Sequence, residues 1–198
     1  MRSQPTSTSR TKGEMSIRAA RGPADYDIAR HLFREYRQWH LDHREVTVVD
    51  DAVLALGLGY LDAEIDALPG EYAPPRGSLV LAFEHRTPVG CGALRPLSRT
   101  VGEIKRVYVR DASRGRGLGV GITRALLSRA RRLGYHRVVL DTMPGMIAAV
   151  GIYRKLGFVP TEAYWANPVP GALFFEYRFP PAPSRRSTRR LRSRAEPP

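Results

Sequence analysis

The residues best suited to chemistry lie between Val109 and Gly119, which reads Val-Arg-Asp-Ala-Ser-Arg-Gly-Arg-Gly-Leu-Gly. Gly115, Gly117 and Gly119 are free to take positive φ and carry no side chain, so successive backbone N–H groups can converge on one point. A helix starting behind them adds the positive end of its dipole, and Arg114 and Arg116 add charge. Such a surface binds phosphate. Two phosphate loops are excluded by spacing. The P-loop needs a lysine after its last glycine, and no lysine occurs between Lys105 and Lys155. The dinucleotide fingerprint meets Val120, Ile122 or Arg124 where its third glycine belongs, and the loop starts several residues after the strand rather than at its end.

Periodicity supplies the elements that must hold this loop. A strand is predicted at 103–109 and a helix at about 117–133, whose Leu118, Ile122, Ala125, Leu126, Ala130 and Leu133 share one face. Upstream, a short strand at 16–19 precedes helical stretches at about 24–40 and 51–68. Two β-type runs, 78–83 and 89–94, are joined by the hairpin-like His85-Arg-Thr-Pro88. Downstream come a strand at 138–141, a helix at about 146–156, and closing strands near Phe158 and at 173–179.

Length and composition bound the rest. The chain has 198 residues, 42% of them apolar and 26% charged, which suits one globular domain at 15–179. No apolar run approaches the roughly 18 to 20 residues of a bilayer crossing, and the polar start predicts no signal peptide. Cys91 is the only cysteine, so no intrachain disulfide or four-thiolate metal site can form; together these predict a cytoplasmic protein. The net charge of +13 is uneven: residues 1–14 carry +2 and residues 180–198 carry +5, both in segments expected to be disordered. With three lysines among 32 basic residues, the skew fits arginine-rich codon usage, so it does not argue for a nucleic-acid partner.

Arg114, Gly117 and Gly119 match [RQ]-x-x-G-x-[GA], the acyl-CoA-binding pattern of the GNAT superfamily of N-acetyltransferases, and the segment resembles that motif. Independently, Ala149-Val-Gly-Ile-Tyr-Arg-Lys-Leu-Gly-Phe158 resembles the family's later A-x-x-x-Y-x-x-x-G-F element. The two stand in the family's order with Val138–Asp141 between them. The resemblance implies an α/β (mixed α+β) fold in three layers, with a mixed, largely antiparallel, splayed sheet of six or seven strands flanked by helices. Acetyl-CoA would lie in the splay. Backbone groups of Val107, Tyr108 and Val109 would hold its pantetheine, and N–H groups of Arg114, Gly115, Arg116, Gly117, Leu118 and Gly119 its pyrophosphate.

By the same resemblance, Tyr153 is the candidate to protonate the leaving thiolate, since a phenol near pKa 10 lies close to a thiol near 8.5. Glu103 is the candidate base, with Asp141 as an alternative. The family often has an asparagine seven residues before this tyrosine; here Met146 stands there. Trp165, Asn167 and Pro168–Gly171 fall where the family lines its acceptor pocket. Cys91, between two glycines in a β-type run, reads as a buried inert thiol. His40 and His43 have metal-like spacing but no third ligand, so no metal is expected. The function implied is acetyl transfer from acetyl-CoA to an amine-bearing acceptor, small molecule, peptide or protein, by a monomer or homodimer with no membrane partner. The alternative is a non-catalytic binding module whose basic tail contacts nucleic acid or an acidic partner.

Overall fold

Gly90 and Gly92 alternate with larger residues along Val89–Ala93, and this decides how the layers stack. A Cβ on Gly92 would lie 2.6 Å from Ile122 Cγ2 and 2.9 Å from Leu126 Cδ1, so a long helix sits directly on that face of the strand. Cys91 and Ala93 point the opposite way, into a second cluster with Leu32, Phe33, Leu61 and Tyr72. The sheet is thereby covered on both faces.

A computed structural model describes residues 14–47 and 50–181. The terminal segments expected to be disordered, 1–14 and 180–198, lie outside the described residues apart from Glu14, Pro180 and Pro181. Among the described residues the strands are β1 (Met15–Ala19), β2 (Ser78–Glu84), β3 (Thr87–Pro96), β4 (Val101–Val109), β5 (Arg137–Thr142), β6 (Val159–Pro160) and β7 (Leu173–Arg178). They form one sheet in the order β1-β2-β3-β4-β5-β7-β6. Helices are α1 (Pro23–Asp42), the single turn α2 (Arg44–Thr47), α3 (Asp51–Asp66), α4 (Leu118–Arg132) and α5 (Ile147–Lys155). The expected splayed, mostly antiparallel sheet is what forms, and predicted elements match observed ones to within two residues at most boundaries.

Local sequence explains the ends of the helices. Pro23 occupies the first turn of α1, where its missing N–H costs nothing. Asp50 caps α3 by accepting from Val53 N–H at 2.8 Å. Leu54, Leu58, Leu61 and Ile65 then line the buried side of α3. On the other face, Leu118, Ile122, Leu126 and Ala130 seat α4.

One pairing is parallel, and it is short. β4 meets β5 only at Val101↔Arg137, Gly102↔Val138 and Glu103↔Val139. Past Glu103 the strands part: β5 continues its antiparallel ladder with β7 as far as Thr142↔Leu173, while the outer edge of β4 from Ile104 onward has no neighbouring strand.

Near the end of α1, His40 is 5% exposed, and its Nδ1 has no hydrogen-bond partner among the described residues. Burial, reinforced by the charges of Arg106 and His43, holds its pKa down at about 4. The folded protein therefore keeps this ring neutral while the unfolded chain takes up a proton below about 6.5, so its contribution to stability falls as pH drops from about 6.5 towards 4. Urea unfolding of the wild type and His40→Phe at pH 7.5 and pH 4 isolates this effect from the carboxylates. The wild type should lose roughly 3 kcal/mol relative to the variant across that range. Parallel losses would show that His40 is not kept neutral.

Candidate active site

The gap between β4 and β5 holds a cavity of about 130 Å³, walled by Ile104, Val107, Thr142, Met146, Ala149 and Tyr153. On its β4 side, Arg110 N–H bonds Val89 O at 2.9 Å, and the register continues Gly90↔Val109 and Cys91↔Tyr108. Antiparallel alternation then commits the backbone groups of Tyr108 to β3 and turns those of Val109 towards the gap. Of the three residues expected to offer backbone groups there, Tyr108 faces the wrong way. Val109 O is already engaged by Arg114 Nε at 3.1 Å.

The glycine loop enters α4 as expected, with two differences. Gly115 and Gly117 have φ of 75° and 82°, and Gly117 is the N-cap of α4 with no side-chain cap, so the first N–H groups of the helix remain open. Gly119, expected to supply a positive φ, instead lies within the helix. Its lack of a side chain answers packing, since a Cβ there would meet Ile152 Cδ1 at 2.9 Å. The arginines also turn outward. Arg114 pairs with Asp111 at 2.9 Å and lies 4.9 Å from the Trp39 ring centre, while Arg116 pairs with Glu84. Anion-binding capacity at the loop therefore rests on backbone N–H groups.

Opposite Gly92, β4 carries two residues, Arg106 and Val107, where the ladder has room for one. Arg106 takes a φ of 57° in mid-strand. Its guanidinium is held bidentately by Glu64 of α3, with Nε and Nη2 each 2.9 Å from a carboxylate oxygen, and Tyr72 donates to the same carboxylate at 2.6 Å. Burial tends to raise the Glu64 carboxyl, but Arg106 outweighs it and holds it below the ordinary value.

A larger cavity of about 630 Å³ opens beside the first, under α3, with an apolar wall that includes Leu54, Leu58 and Tyr60. Both cavities are lined by Tyr36, Lys105, Arg106, Asp141 and Asn167. At this junction Lys105 Nζ stands 3.5 Å from Asp141 and 5.5 Å from the centre of the Trp165 ring, and Asn167 donates to Asp141 at 2.7 Å.

Glu103 sits beneath the junction rather than in it. Its side chain is 1% exposed, lines neither cavity, and meets Arg95 at 2.5 Å, Lys105 at 3.4 Å and the Tyr164 hydroxyl at 2.9 Å. Burial works to raise its carboxyl; the charges of Lys105 and Arg95, with hydrogen bonds from Arg95 and Tyr164, overcome this and hold it low. Tyr153 packs on Phe158 and Phe175, and burial raises its phenol well above the ordinary value. Its hydroxyl makes no hydrogen bond among the described residues.

Several contributors escape sequence reasoning. Tyr164 belongs to no motif, and Glu64 and Tyr72 look like ordinary surface and turn residues until folding brings them to Arg106. Among the described residues no cluster of His, Cys, Asp or Glu is arranged to hold a metal ion, and no helix is long and apolar enough to cross a membrane.

Comparison with known proteins agrees with this geometry. Residues 53–158 match the Acetyltransferase (GNAT) family. An uncharacterized N-acetyltransferase of Schizosaccharomyces pombe is 34% identical over 162 residues, covering 81% of this chain and 92% of that protein. An L-methionine sulfoximine/L-methionine sulfone acetyltransferase of Pseudomonas aeruginosa is 44% identical over 68 residues, which are 34% of this chain and 40% of that protein. In fold, PaiA N-acetyltransferase of Thermoplasma acidophilum, solved in complex with coenzyme A, aligns with a TM-score of 0.64 at 12% identity, covering 84% of this chain and 99% of that one. A gap in the sheet beside an uncapped glycine-led helix, a family match across both, and a near full-length relative together show that this chain belongs to the GNAT family of N-acetyltransferases.

Proposed function

We propose that the protein transfers acetyl from acetyl-CoA to a small primary amine that carries its own carboxylate, as an α-amino acid does. The observation that carries this reading is the meeting of the two cavities at Lys105 and Asp141, a partly buried pair of opposite charges at a loose 3.5 Å. A zwitterion can replace that contact with two of its own, ammonium to Asp141 and carboxylate to Lys105. The Pseudomonas relative's named substrates, L-methionine sulfoximine and L-methionine sulfone, are of this class, and the apolar wall under α3 suits a side chain of that size.

Acetyl-CoA would enter the gap with its pyrophosphate on the N–H groups of 115–119 and its pantetheine along Val107 and Val109. The open N-cap at Gly117 and the two positive-φ glycines fit that group. Asp141, directly or through water, takes a proton from the ammonium. The freed amine forms the C–N bond at the thioester carbon, whose oxygen gathers charge against a β4 N–H. The C–S bond breaks as Tyr153 gives its proton to the sulfur, and the second proton that the nitrogen sheds on becoming an amide passes to the resulting tyrosinate, directly or through water. Burial keeps the phenol in its protonated, donor form and widens its acidity gap to the thiol. Glu103 serves the junction from below by holding Lys105 and Tyr164.

Three measurements test this. Calorimetric titration with acetyl-CoA should show binding by the wild type and none by Gly117→Asp, which adds a side chain and a negative charge to the loop; equal binding would move the pyrophosphate elsewhere. Tyr153→Phe should lower kcat by roughly 10²- to 10⁴-fold while acetyl-CoA affinity stays near wild type, and unchanged turnover would remove Tyr153 as the acid. With L-methionine sulfone as acceptor, Lys105→Met should raise KM by at least about tenfold, an effect absent for the corresponding amine without a carboxylate. An equal effect on both amines would mean that Lys105 does not read a carboxylate.

A further inference from the structure

The mid-strand conformation of Arg106 needs an explanation that strand geometry does not provide. A non-glycine residue with φ of 57° is unusual anywhere, and inside a ladder it forfeits regular pairing with β3. It persists only if surrounding contacts fix it more strongly than the backbone resists. Those contacts come from the acceptor side. Glu64 is 42 residues away on α3, grips both the Nε and Nη2 of Arg106, and is itself fixed by the Tyr72 hydroxyl. From the carbonyl side, Cys91 Sγ approaches Arg106 O at 3.7 Å, which keeps that oxygen turned to the buried face. All of these groups are buried or partly buried, and Arg106 lines both cavities.

We propose that Glu64 is a positioning residue for the donor: by anchoring the Arg106 guanidinium it holds the β4 bulge open, and the bulge sets the backbone of β4 along the gap where the acyl donor lies. This rests on the acetyl-CoA reading above. It makes a carboxylate in the wall of the acceptor cavity a determinant of donor binding. Glu64→Gln loses the charge-assisted bidentate grip, Arg106 relaxes towards ordinary strand geometry, and the edge of β4 closes up. Glycine at 106 adopts positive φ without a Cβ penalty and keeps the bulge without the anchor. Alanine there has neither.

The test is acetyl-CoA affinity by calorimetry, with KM for acetyl-CoA and for the amine, on the full chain and four variants: Glu64→Gln, Arg106→Ala, Arg106→Gly, and Glu64→Gln combined with Arg106→Gly. Circular dichroism checks that each variant folds. Glu64→Gln and Arg106→Ala should each weaken acetyl-CoA binding by about tenfold or more. Arg106→Gly should bind at least several-fold more tightly than Arg106→Ala, and adding Glu64→Gln to Arg106→Gly should cause no further loss. Should Glu64→Gln fail to fold, the glycine and alanine pair still decides, because both remove the same ion pair and differ only in the backbone they permit. Equal affinity in those two, a further loss in the double variant, or a Glu64→Gln effect confined to the KM of the amine would each overturn the proposal. No acetyl-CoA binding by the wild type would instead remove the donor reading on which it stands.

Discussion

Everything in the site depends on a buried carboxylate at the point where the sheet divides. Glu103 is the last residue of β4 to pair with β5, and its side chain is 1% exposed. An ionised carboxyl there, without partners, would cost several kcal/mol. Four segments therefore have to converge on it or near it: β3 through Arg95, β4 through Lys105, the β6–β7 loop through Tyr164, and β5 through Asp141, which Tyr164 and Lys105 also contact. Below this point the strands are joined; above it they diverge. The network fixes the base of the gap and the distance between its walls.

Above that point the two faces of the sheet do different work. The face under α4 is close-packed and apolar, with Gly92 and Gly102 removing side chains so that neighbours press onto the strands. It carries the glycine loop and gives it a rigid mount. The face under α1 and α3 combines an apolar cluster with ion pairs at its edge, including Glu64–Arg106 and Arg110–Glu35. Its exposed edge leaves a cavity large enough for a small molecule. Arg106 of β4 is anchored on this second face and lines both cavities.

The sequence made the elements legible because helix and strand periods were clear: the stripe from Leu118 to Ala130 and the β-type runs at 78–83 and 89–94. It made the loop legible because Gly115 and Gly117 are needed for local backbone reasons that act within a few residues. Gly119 looked the same by type yet is needed for a contact with α5, 33 residues further on. The direction of Arg114 and Arg116 was hidden for a similar reason, since Trp39 and Glu84 lie in other elements. Glu103 was found but its setting was not: a charged residue on a strand gives no sign, from sequence, of the arginine, lysine and tyrosine that will surround it. Glu64 and Tyr164 were missed altogether because pairing across tens of residues leaves no periodic trace.

The way Arg114 and Arg116 are already satisfied bears on how an anion would be gathered. In the free protein their guanidinium groups face Asp111, Glu84 and the Trp39 ring, so much of their charge is cancelled at short range. A phosphate arriving at these guanidinium groups would exchange one set of charge contacts for another, whereas at the uncapped N–H groups ahead of α4 it would displace solvent alone. On the proposed reading the loop would act as a fixed dipolar receptor more than as an electrostatic funnel, with capture governed by fit at contact.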